Sequence, residues 1–233
     1  NSKEQEIKKD DIYRSLDVAR ARELPQDREF LHTLVQDFQV DSRSGIKDPI
    51  DMLGRRLESR VLLITGSSSI CQNQRKCVQR AGLQVQRLML QSVADSEVVL
   101  SSEDKEMGTI IINIGYGTTN MIAYSGGSPI YAGGVAFGGD SITSDLSYIL
   151  NKPKQVAEQI KCQSGSCYVP SVNPDDMIII PQVGGVPSIK MPKRALAEII
   201  EPRMAEIFTL LSMELEKCET KGNFGGGIVL VGG

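Results

Sequence analysis

Ile110-Ile111-Ile112-Asn113-Ile114-Gly115-Tyr116-Gly117-Thr118-Thr119-Asn120 reads as an apolar strand, a tight turn with two glycines and two threonines, and the start of a second strand. The glycines let backbone amides come close to an anion, and the Thr118 and Thr119 hydroxyls offer further donors, so a phosphate could be held here without basic side chains. The same residues also make a plain glycine hairpin, and the stretch alone does not choose between the two. Gly227-Ile228-Val229-Leu230-Val231-Gly232-Gly233 repeats the theme as a buried strand followed by a glycine turn. Two such strand ends suggest one ligand crevice of an α/β sheet.

Outward from this stretch, Thr119 to Tyr124 and Pro129 to Phe137 complete a three-stranded meander, divided by Gly126-Gly127. After Gly138-Gly139, Asp140 can accept from the free amides of a helix running to Leu150, and Asn151-Lys152-Pro153 opens another, to about Lys161. Short strands, Met177 to Ile180 among them, occupy 162–190. A long helix is predicted from Pro192 to about Cys218, with Leu196, Ile199, Ile200, Ile207, Leu210 and Leu211 as its apolar stripe and a kink or break at Pro202.

Upstream, an exposed amphipathic helix fits Asp10 to Arg22, and strands fit Thr33 to Asp41 and Arg60 to Gly66. A helix over Ser69 to Ala81 ends at Gly82, and Leu83 to Leu90 alternates like a strand. A helix over Ser92 to Leu100 and the polar Ser101 to Glu106 join this small α+β unit to the rest.

Composition narrows the function. The 233 residues are 40% hydrophobic and 24% charged, as in a soluble globular chain, and a net charge of −3 argues against a general nucleic-acid binder. No apolar run is long enough to span a bilayer, and Asn1-Ser2-Lys3-Glu4-Gln5-Glu6 lacks a signal-peptide core, so the chain is cytosolic in character. Five cysteines without repeated CxxC spacing and a single histidine, His32, leave no zinc pattern and little basis for Ser-His or Cys-His catalysis.

Several ordered motifs point to a known family. Asn113 to Asn120 resembles the second phosphate motif of the actin-like ATPases, D-h-G-G-G-T-x-D with h apolar, and Gly227 to Gly233 is similar to their adenosine motif. Gly138 to Leu146, Ala157 to Lys161 and Leu196 to Glu206 resemble the FtsA family of bacterial cell-division proteins. His32 to Phe38, Ser44 to Pro49, Leu62 to Thr65 and Arg80 to Leu83 resemble the inserted subdomain that sets that family apart.

The resemblance implies an α/β chain with an α+β insert, part of an actin-like, ribonuclease-H-like ATPase fold. It divides the chain into an inserted subdomain over 1–87, a linker helix over 88–106, an incomplete core subdomain over 107–151 and 200–233, and an upper subdomain over 152–199. Nucleotide contacts fall on Asn113, Gly115, Tyr116, Gly117, Thr118 and Thr119 for the β- and γ-phosphates, Glu158 and Lys161 for the ribose or base, and Gly232 and Gly233 for the adenosine. Glu158 and Lys161 share a helix face, as do Arg203 and Glu206, and either pair also fits a solvated surface ion pair. Arg203 and Glu206 would meet the acidic C-terminal tail of the tubulin-like FtsZ, with Met204 and Ile207 taking its apolar side chains.

The motif's two acidic positions are Asn113 and Asn120, and its middle glycine is Tyr116. Neutral amides do not hold a magnesium shell or polarise water, so ATP with magnesium in the whole protein should turn over weakly or not at all, and no catalytic or metal-ligating residue is assigned. The first phosphate motif is expected before residue 1 and a membrane-binding amphipathic helix beyond Gly233, so this chain alone should bind ATP poorly. The implied role is a polymerising tether that holds FtsZ filaments on the cytoplasmic face of the inner membrane at the septum and contacts other division proteins through the insert. An actin-like adaptor of type IV pilus assembly and an active actin-fold ATPase or kinase are the alternatives.

Overall fold

The computed structural model describes residues 4–180, 188–218 and 222–233. The chain divides into two compact units: the described residues of 1–111, 122–132 and 220–229 form the first, and those of 112–121, 133–219 and 230–233 the second.

In the first unit a two-residue strand β1 (Gln5–Glu6) precedes helix α1 (Lys9–Arg20), and strands β2 (Arg28–Val40), β3 (Arg43–Ile46), β4 (Leu53–Gly54) and β5 (Leu57–Ser67) follow. β1 pairs with β4, while β2 is the centre of an antiparallel sheet of order β3-β2-β5, with Leu34 opposite Leu62 and Phe38 opposite both Ser59 and Ile46. Ile12, Ser15, Leu16 and Ala19 fall at helical spacing on the less exposed side of α1, which packs on β5. Phe38, Val40 and Ile64 are buried in the sheet.

Helix α2 (Ser68–Arg80) follows and turns at Gly82, whose φ of +79° is in the left-handed region. The strand expected over Leu83 to Leu90 does not form. Leu83 and Met89 are exposed, no sheet partner is present among the described residues, and the stretch runs on as irregular chain. Its end is fixed instead by the Leu90 amide donating to His32 Nε2 at 2.9 Å. Helix α3 (Gln91–Val99) buries Val93 and Ser96, and the Ser96 hydroxyl meets the Tyr124 hydroxyl at 2.8 Å. The polar joint expected over Ser101 to Glu106 is a helix, α4 (Ser102–Met107), set by a reciprocal capping box in which Ser101 Oγ accepts from the Asp104 amide and Asp104 accepts from the Ser101 amide.

A four-stranded sheet has the order β11-β6-β7-β8, with β6 Thr109–Ile114, β7 Thr119–Ser125, β8 Ser128–Val135 and β11 Gly227–Gly232. Each of these strands is shared between the residue ranges of the two units. Ile110, Ile111 and Ile112 are buried in succession, as are Met121, Ile122 and Ala123, which requires both faces of β6 and β7 to be covered. β11 runs parallel to β6, since the Gly226 amide donates to Gly108 and the Gly233 amide to Ile114. Its apolar run is not buried as expected: β11 lies at the sheet edge, and Ile228 and Leu230 are exposed.

The second unit adds helices α5 (Gly139–Ile149), α6 (Lys154–Ser164) and α7 (Lys193–Glu216), and a hairpin of β9 (Met177–Ile180) with β10 (Ile189–Pro192). The short strands expected elsewhere in 162–190 fall partly on 181–187, outside the described residues. Ile142, Leu146, Ala157, Ile160, Ile178, Ile180, Leu196 and Ile200 form its core. α7 runs unbroken through Pro202, because Leu196, Ile200, Ile207 and Leu211, spaced for one face, are all buried and hold the helix on both sides of the proline.

Candidate functional site

The turn after β6 is closed by the Gly115 amide donating to Thr118 at 2.9 Å, and α5 is docked onto it. The Gly139 amide donates to the Gly115 carbonyl at 2.9 Å and the Asp140 amide to the Tyr116 carbonyl at 2.7 Å. Only glycine fits at 138, where a Cβ would lie 2.4 Å from the Gly115 oxygen and 2.7 Å from the Tyr116 oxygen. The helix begins at Gly139, with Gly138 as its N-cap residue and no side-chain cap. Asp140 does not cap it as expected, because its carboxylate accepts from the Tyr116 hydroxyl at 2.7 Å and from Lys154 Nζ at 3.1 Å. These donors, Tyr116 first, hold the Asp140 carboxyl below its ordinary 3.8, and the same contact raises the Tyr116 phenol above 10.0.

On α6, Lys161 Nζ donates to the Gly139 carbonyl at 3.0 Å and to Thr143 Oγ1 at 2.9 Å, and pairs with Glu158 at 2.8 Å. Thr143 donates to the same Glu158 oxygen, and Cys162 Sγ to the other at 3.3 Å. Lys161, then Thr143, lower the Glu158 carboxyl below 4.5, and the hydrogen bond to Glu158, with burial, raises the Cys162 thiol above 9.0. The pair is therefore more than a solvated surface contact: its lysine ties α6 to the first turn of α5.

Gly232, with φ +109°, closes the group. A Cβ there would lie 2.3 Å from the Ile114 oxygen, so glycine alone lets β11 end so close to β6. These residues surround a cavity of about 540 Å³, lined by Gly115, Tyr116, Glu158, Lys161, Gly232 and Gly233 from the sequence-predicted set. Ile114, Gly139, Cys162, Leu230 and Val231 complete the wall. Gly139 could have been found from the Gly138-Gly139 pair ahead of a helix, and Cys162 from its place one turn after Glu158.

Four predicted residues are not in the wall. Asn113 is buried within β6 at 5% exposure, and Gly117 and Thr118 face outward on the turn. Thr119 is fully buried and its hydroxyl donates to the Phe137 carbonyl at 2.9 Å, so it is not the free phosphate donor expected. The wall offers one cation, Lys161, balanced by one carboxylate, Glu158, while the amides of Gly115, Gly139 and Gly233 are already given to the Thr118, Gly115 and Ile114 carbonyls. Among the described residues there is no cluster of three or more side chains suited to a metal ion.

Arg203 lies away from this wall. Its Nε and Nη2 donate to the two oxygens of Asp145 on α5 at 2.6 and 2.9 Å, its Nη1 donates to Glu206, and its guanidinium sits 5.8 Å from the Phe137 ring centre. Asp145, then Glu206, raise the guanidinium pKa still further. Ile207, expected to be open to a partner, is fully buried in the helix packing.

The family models agree with the order of these elements. One for the "SHS2 domain inserted in FTSA" matches residues 1–65, and one for "Cell division protein FtsA" matches residues 110–232, more than half of the chain. The chain belongs to the FtsA family. Over essentially its whole length it is 43% identical to the FtsA of Borreliella burgdorferi, 36% to that of Pseudomonas aeruginosa and 32% to that of Escherichia coli. It spans 55–57% of the length of these FtsA relatives. Among solved structures, the PilM–PilN type IV pilus biogenesis complex superposes on 99% of the chain and 58% of the matched chain, with a TM-score of 0.61 and 13% identity. MreB5 of Spiroplasma citri bound to ADP covers 72% of the chain and 55% of its own, at 0.54 and 20%. At such identities the likeness concerns fold, and the fold is that of the actin-like ATPases. Among the described residues no helix is long and apolar enough to cross a membrane.

Proposed function

We propose that this chain is part of a cell-division scaffold that binds ATP and uses it for assembly rather than turnover. The observation that carries the reading is the convergence of Gly115, Tyr116, Glu158, Lys161, Gly232 and Gly233 on one cavity. Its volume lies in the range of small-molecule sites, Glu158 can accept from ribose hydroxyls, and Gly233, with nothing within 4 Å of where a Cβ would lie, leaves room for close approach of a flat base. These residues fit a nucleoside. They do not fit magnesium: Asn113 and Asn120 carry no charge, and the nearby Asp140 carboxylate is held by Tyr116 and Lys154. Hydrolysis is accordingly weak or absent.

The whole protein, on this reading, polymerises, binds the FtsZ C-terminal tail along α7 and ties FtsZ filaments to the cytoplasmic face of the inner membrane at the septum, through an amphipathic helix supplied outside this chain. Other division proteins would meet the insert. Family membership supports these assignments, and the Arg203 geometry refines one of them. Glu206, with its side chain 47% exposed, is the carboxylate an acidic tail would exchange for, whereas Asp145 would stay in place. Titration of the whole protein with the FtsZ tail peptide should show binding that Arg203→Glu abolishes, and steady-state phosphate release should be slow. Tail binding indifferent to Arg203→Glu would remove the partner assignment. Turnover of several per second would replace the scaffold with an enzyme.

A further inference from the structure

β5 is the outer strand of the insert's sheet, and β2 pairs with it on one side only, so every second amide and carbonyl of β5 points away from the sheet. From Leu57 to Leu63 those outward groups have no backbone partner among the described residues. Proteins guard such an edge with proline, a bulge, brevity or a cover. β5 is 11 residues long and has no proline, and the register shifts of the pair come from extra residues in β2, not in β5.

A groove of about 530 Å³ lies along this edge, between β5 and α1. Its wall includes the consecutive strand residues Leu57 to Val61, and a strand turns both of its faces to one cavity only along its side. Ser59 Oγ donates to the Ser15 carbonyl of α1 at 3.3 Å, so the strand row facing the helix is Leu57, Ser59, Val61 and Leu63. Across from it Val18 is 74% exposed. The charges at the groove do not cancel. Glu58 is met by Arg56 at 2.6 Å, Arg60 comes no nearer than 3.7 Å to Asp37, and Arg22 has no carboxylate within ion-pair distance among the described residues.

We infer that the insert captures an extended segment of another protein as a fourth strand along β5, apolar toward α1 and acidic toward Arg22 and Arg60. Backbone bonds to the open edge would supply affinity, and alternate side chains falling between Val18 and Val61 would supply selectivity. A helix would leave the edge groups unpaired. A second copy's β5 is the poorer guest, because its own α1 would enter the groove with it. The inference rests on the reading that other division proteins meet the insert, and gives that contact a place and a form.

The test is selection of displayed random peptides on the whole protein, followed by hydrogen exchange with the best synthetic peptide bound. The selected sequences should be apolar at alternate positions, with Asp or Glu among the rest. The bound peptide should slow exchange within 57–63 about tenfold or more, and N-methylation of its alternate amides should abolish binding. Arg22→Glu should weaken binding about tenfold; Arg22 is exposed beyond the end of α1, so thermal unfolding of the variant should match wild type. Selected peptides with helical spacing, or peptides indifferent to N-methylation, would overturn the inference. Binding that leaves exchange within 57–63 unchanged would overturn the site and leave the insert a contact surface. Slow exchange there before any peptide is added would mean that the protein covers its own edge, and would also overturn it.

Discussion

Arg203 of α7 grips Asp145 of α5 through two parallel hydrogen bonds, and it is this pair, 58 residues apart in sequence, that joins the two helices at their polar margin. Both side chains are largely shielded, at 26% and 28% exposure, whereas Glu206 on the other side of the guanidinium is 47% exposed. Asp145→Ala should therefore cost about 1–3 kcal/mol of unfolding free energy, since it leaves a half-buried guanidinium short of two partners. Glu206→Ala should cost about 0.3 kcal/mol. Urea denaturation of the two variants checks the order, and equal losses would show that the two carboxylates are equivalent.

Gly138 and Gly117 lie on either side of the same turn and should respond differently. A Cβ at 138 collides with two backbone carbonyl oxygens, which have no flexible end to move, while at 117 nothing lies within 4 Å. Gly138→Ala should lose about 1–3 kcal/mol or more by forcing α5 off the turn, and Gly117→Ala should stay within about 0.5 kcal/mol of wild type. Thermal unfolding separates them. A stable Gly138→Ala protein would mean that the α5 docking bonds are not maintained in solution.

Glu158 is the group whose titration reports on the cavity. Its folded pKa is depressed, chiefly by Lys161, so its contribution to stability is present above about pH 4.5 and is lost as the pH falls through the folded value. Lys161→Met should move the Glu158 carboxyl resonance in an NMR titration toward 4.5 and flatten the stability profile on that acid side. The loss at pH 7 should be about 1 kcal/mol or less, because the Glu158 side chain is 39% exposed and partly screened by water. A resonance that does not move would place the depression on the Thr143 and Cys162 hydrogen bonds.

His32 is a structural acceptor rather than a catalytic base. Burial, with Arg87 nearby, pushes its imidazole below 6.5, and only the neutral ring can accept the Leu90 amide. The unfolded chain then binds more protons than the folded one, so stability is full above about pH 6.5 and declines as the pH drops through the folded value. Comparing unfolding at pH 7.5 and 5.5 should show this decline in the wild type and its loss in His32→Gln, which keeps an acceptor but does not titrate. The same decline in His32→Gln would assign it to another group.

Elements that depend on spacing along the chain were readable in advance. α1, α2 and α5–α7 follow from apolar residues at helical intervals and their stop signals, and β6 and β7 from unbroken apolar runs beside a glycine turn. The misses have two causes. Leu83 to Leu90 alternates like a strand, but a strand exists only if a partner offers its backbone, and none is described there. The Ser101-x-x-Asp104 box was a local signal for α4 that polarity obscured.

The sequence by itself determined the family, the glycine turn and the helical pairing of Glu158 with Lys161, because motifs and i, i+3 geometry are properties of short segments. Only the tertiary structure decided how those side chains are used. Asp140 was taken from the helix cap by Tyr116 and Lys154, Thr119 by Phe137, and Arg203 by Asp145. Each polar group has several partners within reach of its chemistry, and which one it meets depends on where folding brings segments 14 to 58 residues away.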